Sequence, residues 1–318
     1  MTLATPLPIG RPMREIFGET VAELAAGDPR IYMLDGDVGS STRADLFEKA
    51  HPDRYLQMGI AEQNMLGVAA GMATMGLVPF ISTFVSFAVV RPLDQIRVLI
   101  AQPRLNVKIT PGYSGMFTGQ TGMSHIIVDD LAIMRTLPNM ACVAPADDVE
   151  ADLALRWAAA YEGPCYVRLV RDPTARLFDD THRFELGRAV WVRSGADVSL
   201  VSTGAQTPRT LEAAEILATE GVDAGVLHVA TIKPLDVDAL VEAAARTDHV
   251  ITVEEHSILG GLGGAVAEAL SEHRPTRIHR IGLRDVDVES GPNDALLDMY
   301  GLSAARVAEQ VRALLRGT

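Results

Sequence analysis

Cysteine is scarce in this 318-residue chain, with only Cys142 and Cys165 present. Neither belongs to a CxxC pair or to a Cys/His spacing that could hold zinc, so both are expected as buried structural thiols. Basic charge is also short: 28 Lys and Arg against 41 Asp and Glu leave a net charge of −13. No basic footprint for nucleic acid can be drawn from that balance. The opening residues, MTLATPLPIGRPMRE, lack the apolar core of a signal peptide, which predicts a cytoplasmic protein. One stretch lacks charge altogether. Met65–Val90 is a run of 26 uncharged residues, long enough on paper to cross a bilayer. Pro79 interrupts it after Gly76, and Ser82, Thr83 and Ser86 follow, so a buried α/β segment is predicted and not a membrane span.

What is present centres on that run. Glu62 leads into it and two phenylalanines three apart, Phe84 and Phe87, sit near its far end. A lone carboxylate before a long apolar stretch is either an accident at a helix start or a tuned acid in a dry pocket. The expected elements are a helix from Ala61 to about Met75, a strand over 78–82 and a helix from about Ser86. Upstream, REIFGETVAELAAG (14–27) has helical apolar spacing. RIYMLDGD (30–37) reads as a strand that ends in small polar residues, and ligands bind beyond such strand ends in parallel sheets. NVKIT (106–110) is another strand, followed by a long glycine-rich loop, PGYSGMFTGQTGMSH (111–125), of a length that is usually functional or disordered.

Alternating strands and helices continue to the end of the chain. They predict an α/β protein of two doubly wound domains with mostly parallel sheets. The first domain spans 1–175, a linker 176–189, and a smaller second domain 190–318. In the second, strands are expected at 197–203, 223–231, 249–255 and 277–283. Two phosphate-loop patterns fail on spacing. GGLGGAV (260–266) lacks G-x-G-x-x-G and is separated from its strand. Gly36-Asp37 begins like a thiamine-diphosphate metal motif, but Val38 replaces its second glycine. No Mg²⁺-diphosphate site is expected in this chain.

The ordered pieces LDGDVGSST, GIAEQNM, STFVSF, the loop ending in GMSH, LPNMACVAPADDVE, YVRLVR, ATIKPLD and TVEEHSILGGLGGAV resemble the C-terminal half of transketolase. The resemblance covers nearly all of the chain after residue 10. It implies a thiamine-diphosphate pyrimidine-binding domain followed by a transketolase C-terminal domain. It also implies that the diphosphate- and Mg²⁺-binding half lies on a separate N-terminal subunit, in an α₂β₂ assembly that shares the thiamine diphosphate. The expected reaction moves a two-carbon ketol unit between ketose and aldose sugars, phosphorylated or not. That chemistry belongs to the cofactor, while the protein supplies position and a tuned acid. Apolar surroundings favour the protonated form of such an acid.

On this resemblance Glu62 matches the catalytic glutamate, Phe87 the aromatic that stacks on the aminopyrimidine, and Phe84 a second wall of its pocket. His125 matches an active-site histidine able to shuttle protons near neutral pH. Arg171 matches a sugar-phosphate arginine, Ser41 a phosphate-contacting serine, and Arg14 falls one residue from a third phosphate ligand. A guanidinium fork suits phosphate oxygens. Three positions depart from the family. Tyr113 stands where a phosphate-binding histidine is usual, Thr121 where an aspartate reads a sugar hydroxyl, and Val90 where a tyrosine is common. Two other readings stand beside it: the β subunit of a 2-oxo acid dehydrogenase, which shares architecture and length, and a non-catalytic partner subunit that only completes an oligomer.

Overall fold

The computed structural model of the chain describes residues 7–247 and 249–317. Six short strands open it: β1 (Ile31–Asp35), β2 (Tyr55–Gln57), β3 (Val78–Ser82), β4 (Lys108–Ile109), β5 (Ala141–Val143) and β6 (Cys165–Val167). They pair in parallel in the order β5-β6-β4-β3-β1-β2. β3, β5 and β6 are almost wholly apolar because helices cover both faces of a parallel sheet, while β1 ends in Asp35 and β4 holds one buried charge, Lys108. Among those helices are Met13–Gly27, Glu62–Thr74, Val85–Val90 and Asp148–Ala160. The uncharged run therefore folds as helix, strand and helix. Among the described residues no helix is long and apolar enough to cross a membrane.

The second half adds β7 (Val190–Arg193), β8 (Val198–Ser202), β9 (Ala224–His228), β10 (Thr231–Lys233), β11 (Val250–Ser257) and β12 (Ile278–Leu283). Five of these form a sheet in the order β12-β11-β8-β9-β7, parallel except for β7 against β9. The structure departs from the sequence reading at 223–231, which is not one strand. It ends at His228 in its own sheet, and β10 then crosses to pair antiparallel with β5 of the first sheet. A backbone hydrogen bond from Ala144 to Ala230 O at 2.7 Å marks the crossing.

The halves are also joined by buried charge. Arg168, after β6, donates to Asp130 Oδ2 (2.8 Å), Glu255 Oε2 (3.0 Å) and the Glu255 carbonyl (3.2 Å). The Glu255 carboxylate also accepts the Met116 backbone N–H. A second tie runs from Glu150 to His228 Nε2 at 2.8 Å. Because these groups are buried, Glu255 and Glu150 each depend on a partner across the junction. The glycine-rich loop is fastened in the same way: Gly291 N–H donates to Gly119 O and Gly119 N–H to Asn293 Oδ1, both at 3.0 Å.

Candidate active site

The turn after β1 is organised by one buried acid. Asp35 accepts the backbone N–H of Val38 and Gly39, each at 3.0 Å, and the Ser82 hydroxyl at 2.9 Å. Those bonds fix the short helical turn Gly39–Thr42 that carries Ser41. The Ser41 carbonyl in turn accepts from Arg14 Nη1 (3.3 Å) and Tyr113 Oη (3.4 Å). Arg14 also reaches Tyr113 Oη at 3.4 Å. The tyrosine hydroxyl is thus committed to protein groups at the place where the resemblance puts a phosphate-binding histidine.

The glycine-rich loop is held against the end of β3. Gly112 N–H donates to Thr83 O at 3.0 Å and Val85 N–H to Gly112 O at 2.9 Å. Tyr113 follows at φ +67°, a left-handed conformation rarely taken by a large side chain. It lays the ring on Phe84, with centroids 4.0 Å apart. Phe84 lies 5.8 Å from Phe87, and His125 touches both, its ring 5.8 Å from Phe84 and 5.2 Å edge-on from Phe87. His125 Nδ1 shares a 2.8 Å hydrogen bond with Ser124 Oγ. The Arg171 guanidinium sits 5.5 Å from the Tyr113 centroid and pairs with Asp172 at 2.5 Å. Burial pulls the Arg171 pKa down, but Tyr113 and Asp172 more than restore it, so the group ends above its ordinary value.

A cavity of about 770 Å³ gathers most of the sequence candidates: Ser41, Phe84, Tyr113, Thr121, His125 and Arg171 all line it. Arg14 reaches its edge through Tyr113. Thr121 turns its hydroxyl on its own loop, donating to Thr118 O at 2.6 Å. The second half supplies the opposite rim through Arg209, Asn293 and Asp294.

Glu62 is not part of that cavity. Only 3% exposed at the start of its helix, it faces a neighbouring depression lined by Ile60, Gln63 and Arg91. The apolar surroundings expected for it are incomplete, because Arg91 Nη1 donates to Glu62 Oε1 at 2.8 Å. The same guanidinium lies 4.0 Å over the centre of the Phe87 ring. Phe87 thus links the two spaces through its neighbours, Arg91 of the depression over its ring and His125 of the cavity in an edge contact. Val90, the position of the usual tyrosine, is 52% exposed and contributes no ring to this wall.

Sequence reasoning passed over Arg91, Arg209 and Asn293. Arg91 had a signal, being the first charge after the 26-residue uncharged run. The other two had none, since only the packing of the halves brings residues 209 and 293 to the loop at 111–125.

The residues present fit an aminopyrimidine. Arg91 already makes the two contacts such a ring needs, an N–H bond to the Glu62 carboxylate and a planar group over Phe87. The glycine turn at 260–264 does not fit a phosphate. Glu254 fills that helix N-terminus, accepting Leu262 N–H at 2.6 Å and Gly263 N–H at 2.8 Å. Among the described residues no group of three or more His, Cys, Asp or Glu side chains is placed to hold a metal ion. Both cysteines are buried, and burial pushes the Cys142 thiol up to about 12.

Comparison with known proteins identifies a family. The family described as "Transketolase, pyrimidine binding domain" matches residues 10–175, and "Transketolase, C-terminal domain" matches 187–307. A Methanocaldococcus jannaschii protein, provisionally named a transketolase C-terminal section, is 41% identical over 94% of this chain and 95% of its own length. The 6-deoxy-6-sulfo-D-fructose transketolase subunit SqwH of a Clostridium species is 38% identical over 93% of this chain and 92% of its own. A solved structure described as "Split gene transketolase, inactive beta4 tetramer" superposes with a TM-score of 0.88 at 44% identity, covering 96% of this chain and 99% of that one.

Proposed function

Because this chain belongs to the transketolase family, whose members depend on thiamine diphosphate, we propose that it is the smaller catalytic subunit of a split transketolase. It would move a two-carbon ketol unit between sugars together with an N-terminal subunit that binds the diphosphate and Mg²⁺, in an α₂β₂ complex. Support for the division comes from relatives that this chain matches almost end to end and whose names describe a C-terminal section or a split gene. Residues 1–175 form the pyrimidine-binding part in this reading, 176–189 the connector and 190–318 the C-terminal domain. The substrate class is a ketose or aldose with an anionic tail, a phosphate or, as the name of the Clostridium relative suggests, a sulfonate.

The observation that carries the reading is the contact of Glu62, Arg91 and Phe87, one ring away from the cavity of Ser41, Tyr113, His125 and Arg171. Thiamine diphosphate, when bound, supplies a carbon nucleophile made by its own aminopyrimidine. Glu62 contributes the carboxyl that hydrogen-bonds the ring nitrogen and holds its proton. Phe87 fixes the ring's plane, and Phe84 with Tyr113 excludes water from the side facing the sugar. His125 is placed to donate to a substrate oxygen or take its proton. Arg171 and Ser41 grip the tail, orienting the reacting carbon.

Reconstitution with the N-terminal subunit tests this. Glu62→Ala is expected to reduce ketol transfer by at least about 100-fold, the usual scale for a positioned acid or base, while the complex still assembles. Full activity in that variant would leave the chain a scaffold and end the catalytic reading.

A further inference from the structure

The rim of the substrate cavity contributed by the second half has no role in the reading above. Arg209 sits early in the helix Thr207–Thr219, with its guanidinium 4.7 Å over the Phe117 ring. It is notable because Arg209 and Arg171 line the same cavity from the two halves of the chain. An arginine carries five N–H donors. Arg209 uses few of them, in long contacts to Asp294 Oδ1 (3.4 Å) and to the Ala205 carbonyl (3.5 Å). Asp294 is almost fully exposed, so that pair is weak and easily exchanged for another anion.

The arginine is nonetheless well positioned. The Phe117 ring beneath it is buried, and the surrounding junction is fastened by Asn293. That side chain donates to Phe117 O (3.2 Å) and to Asp172 Oδ2 (2.7 Å) while accepting from Gly119. Asp172 is the carboxylate that holds Arg171, so one asparagine from the second half braces both guanidinium groups. On the opposite wall, Tyr113 has its hydroxyl engaged by Arg14 and Ser41 and offers no cation to a phosphate.

We propose that Arg209 is an anion-binding, specificity-determining residue, which grips the terminal oxyanion of the sugar, phosphate or sulfonate, from the second domain. In this chain that domain then takes part in choosing the substrate, and the tail is held between Arg171 and Arg209. The proposal rests on the split-transketolase reading for the identity of the substrate, but not for the existence of an anion site.

The test uses the complex with the N-terminal subunit and three probes that share a carbon skeleton: fructose 6-phosphate, 6-deoxy-6-sulfofructose and fructose. Calorimetric binding without the cofactor is measured beside steady-state kinetics. Arg209→Gln is expected to weaken binding of an anionic probe and raise its KM by about tenfold or more, the loss of a charge-assisted contact, with kcat and fructose binding little changed. Loss on both anions assigns a general oxyanion site, and loss on fructose 6-phosphate alone a phosphate site. Arg209→Lys, which keeps charge but not the fork, is expected to recover part of the loss. Equal effects on all three probes, no effect on any, or no preference of the wild type for an anionic probe would overturn the proposal. If no sugar is turned over, the reaction assigned above fails, and the calorimetry still decides the role of Arg209.

Discussion

Glu62 shows how far single residues could be read. Its place at the head of an uncharged run marked it as unusual, and the structure buries it as that run suggested. Its partner was not legible as a partner, because Arg91 lies 29 positions on and meets it only after the strand and turn between them fold back. Arg91 occupies the contacts that the proposed cofactor would make with Glu62 and Phe87, so it has to swing aside for the ring to enter. Arg91→Gln is therefore expected to leave thiamine diphosphate binding to the assembled complex as tight as wild type or tighter, read by calorimetry. A loss of tenfold or more, about 1.4 kcal/mol, would make Arg91 a cofactor contact and not a placeholder. Tyr113 was legible as a departure from the family, but its left-handed backbone and its bonds to Arg14 and Ser41 were not.

Among elements, strands such as β3, β5 and β6 were the most legible, since burial on both faces leaves them nearly free of polar residues. β10 was hidden. Three residues carry no periodicity, and their pairing with β5 depends on how the two halves meet. The charged network beside that junction supplies two expectations about stability. Arg168→Met removes the one cation shared by Asp130 and Glu255 and leaves both carboxylates buried. A cost of about 3–5 kcal/mol is expected in urea unfolding; less than 1 kcal/mol would mean that the network adds little.

His256, in β11, supplies the second. Burial pushes its pKa down to about 4 from 6.5, against the pull of Asp130 and with Arg168 adding to the fall. Between those values the unfolded chain takes up a proton that the folded chain refuses, so stability falls as pH drops from 6.5 towards 4. Neighbouring Glu254 works in the opposite sense. Burial raises it from 4.5 to about 7, so its contribution is present at low pH and is lost as pH rises through that window. His256→Asn should accordingly make the urea midpoint rise more steeply than in the wild type as pH is lowered from 7 to 5, because only the Glu254 contribution is then left. An acid limb unchanged from wild type would place the sensitivity elsewhere.

At the scale of the whole molecule, the two-sheet α/β architecture and the order of its parts could be read from the chain. The shared cavity could not. Its rim joins residues near 41, 84, 113, 125 and 171 to others near 209 and 293, a grouping made by the packing of the halves, in which β10, Arg168, Glu150 and Asn293 take part. One wall of the proposed site, buried Glu62 with half-buried Phe87, lies close to the exposed side chains of Ile60 and Val90. Such a wall suits a site completed by another polypeptide. The most direct test compares ketol transfer by this chain alone, by the N-terminal subunit alone and by the two mixed, with thiamine diphosphate and Mg²⁺ supplied throughout. The expected result is transfer only in the mixture, reduced by at least about 100-fold when the chain carries Glu62→Ala. Transfer by this chain alone, or undiminished transfer by a mixture that carries Glu62→Ala, would contradict a shared site built on Glu62.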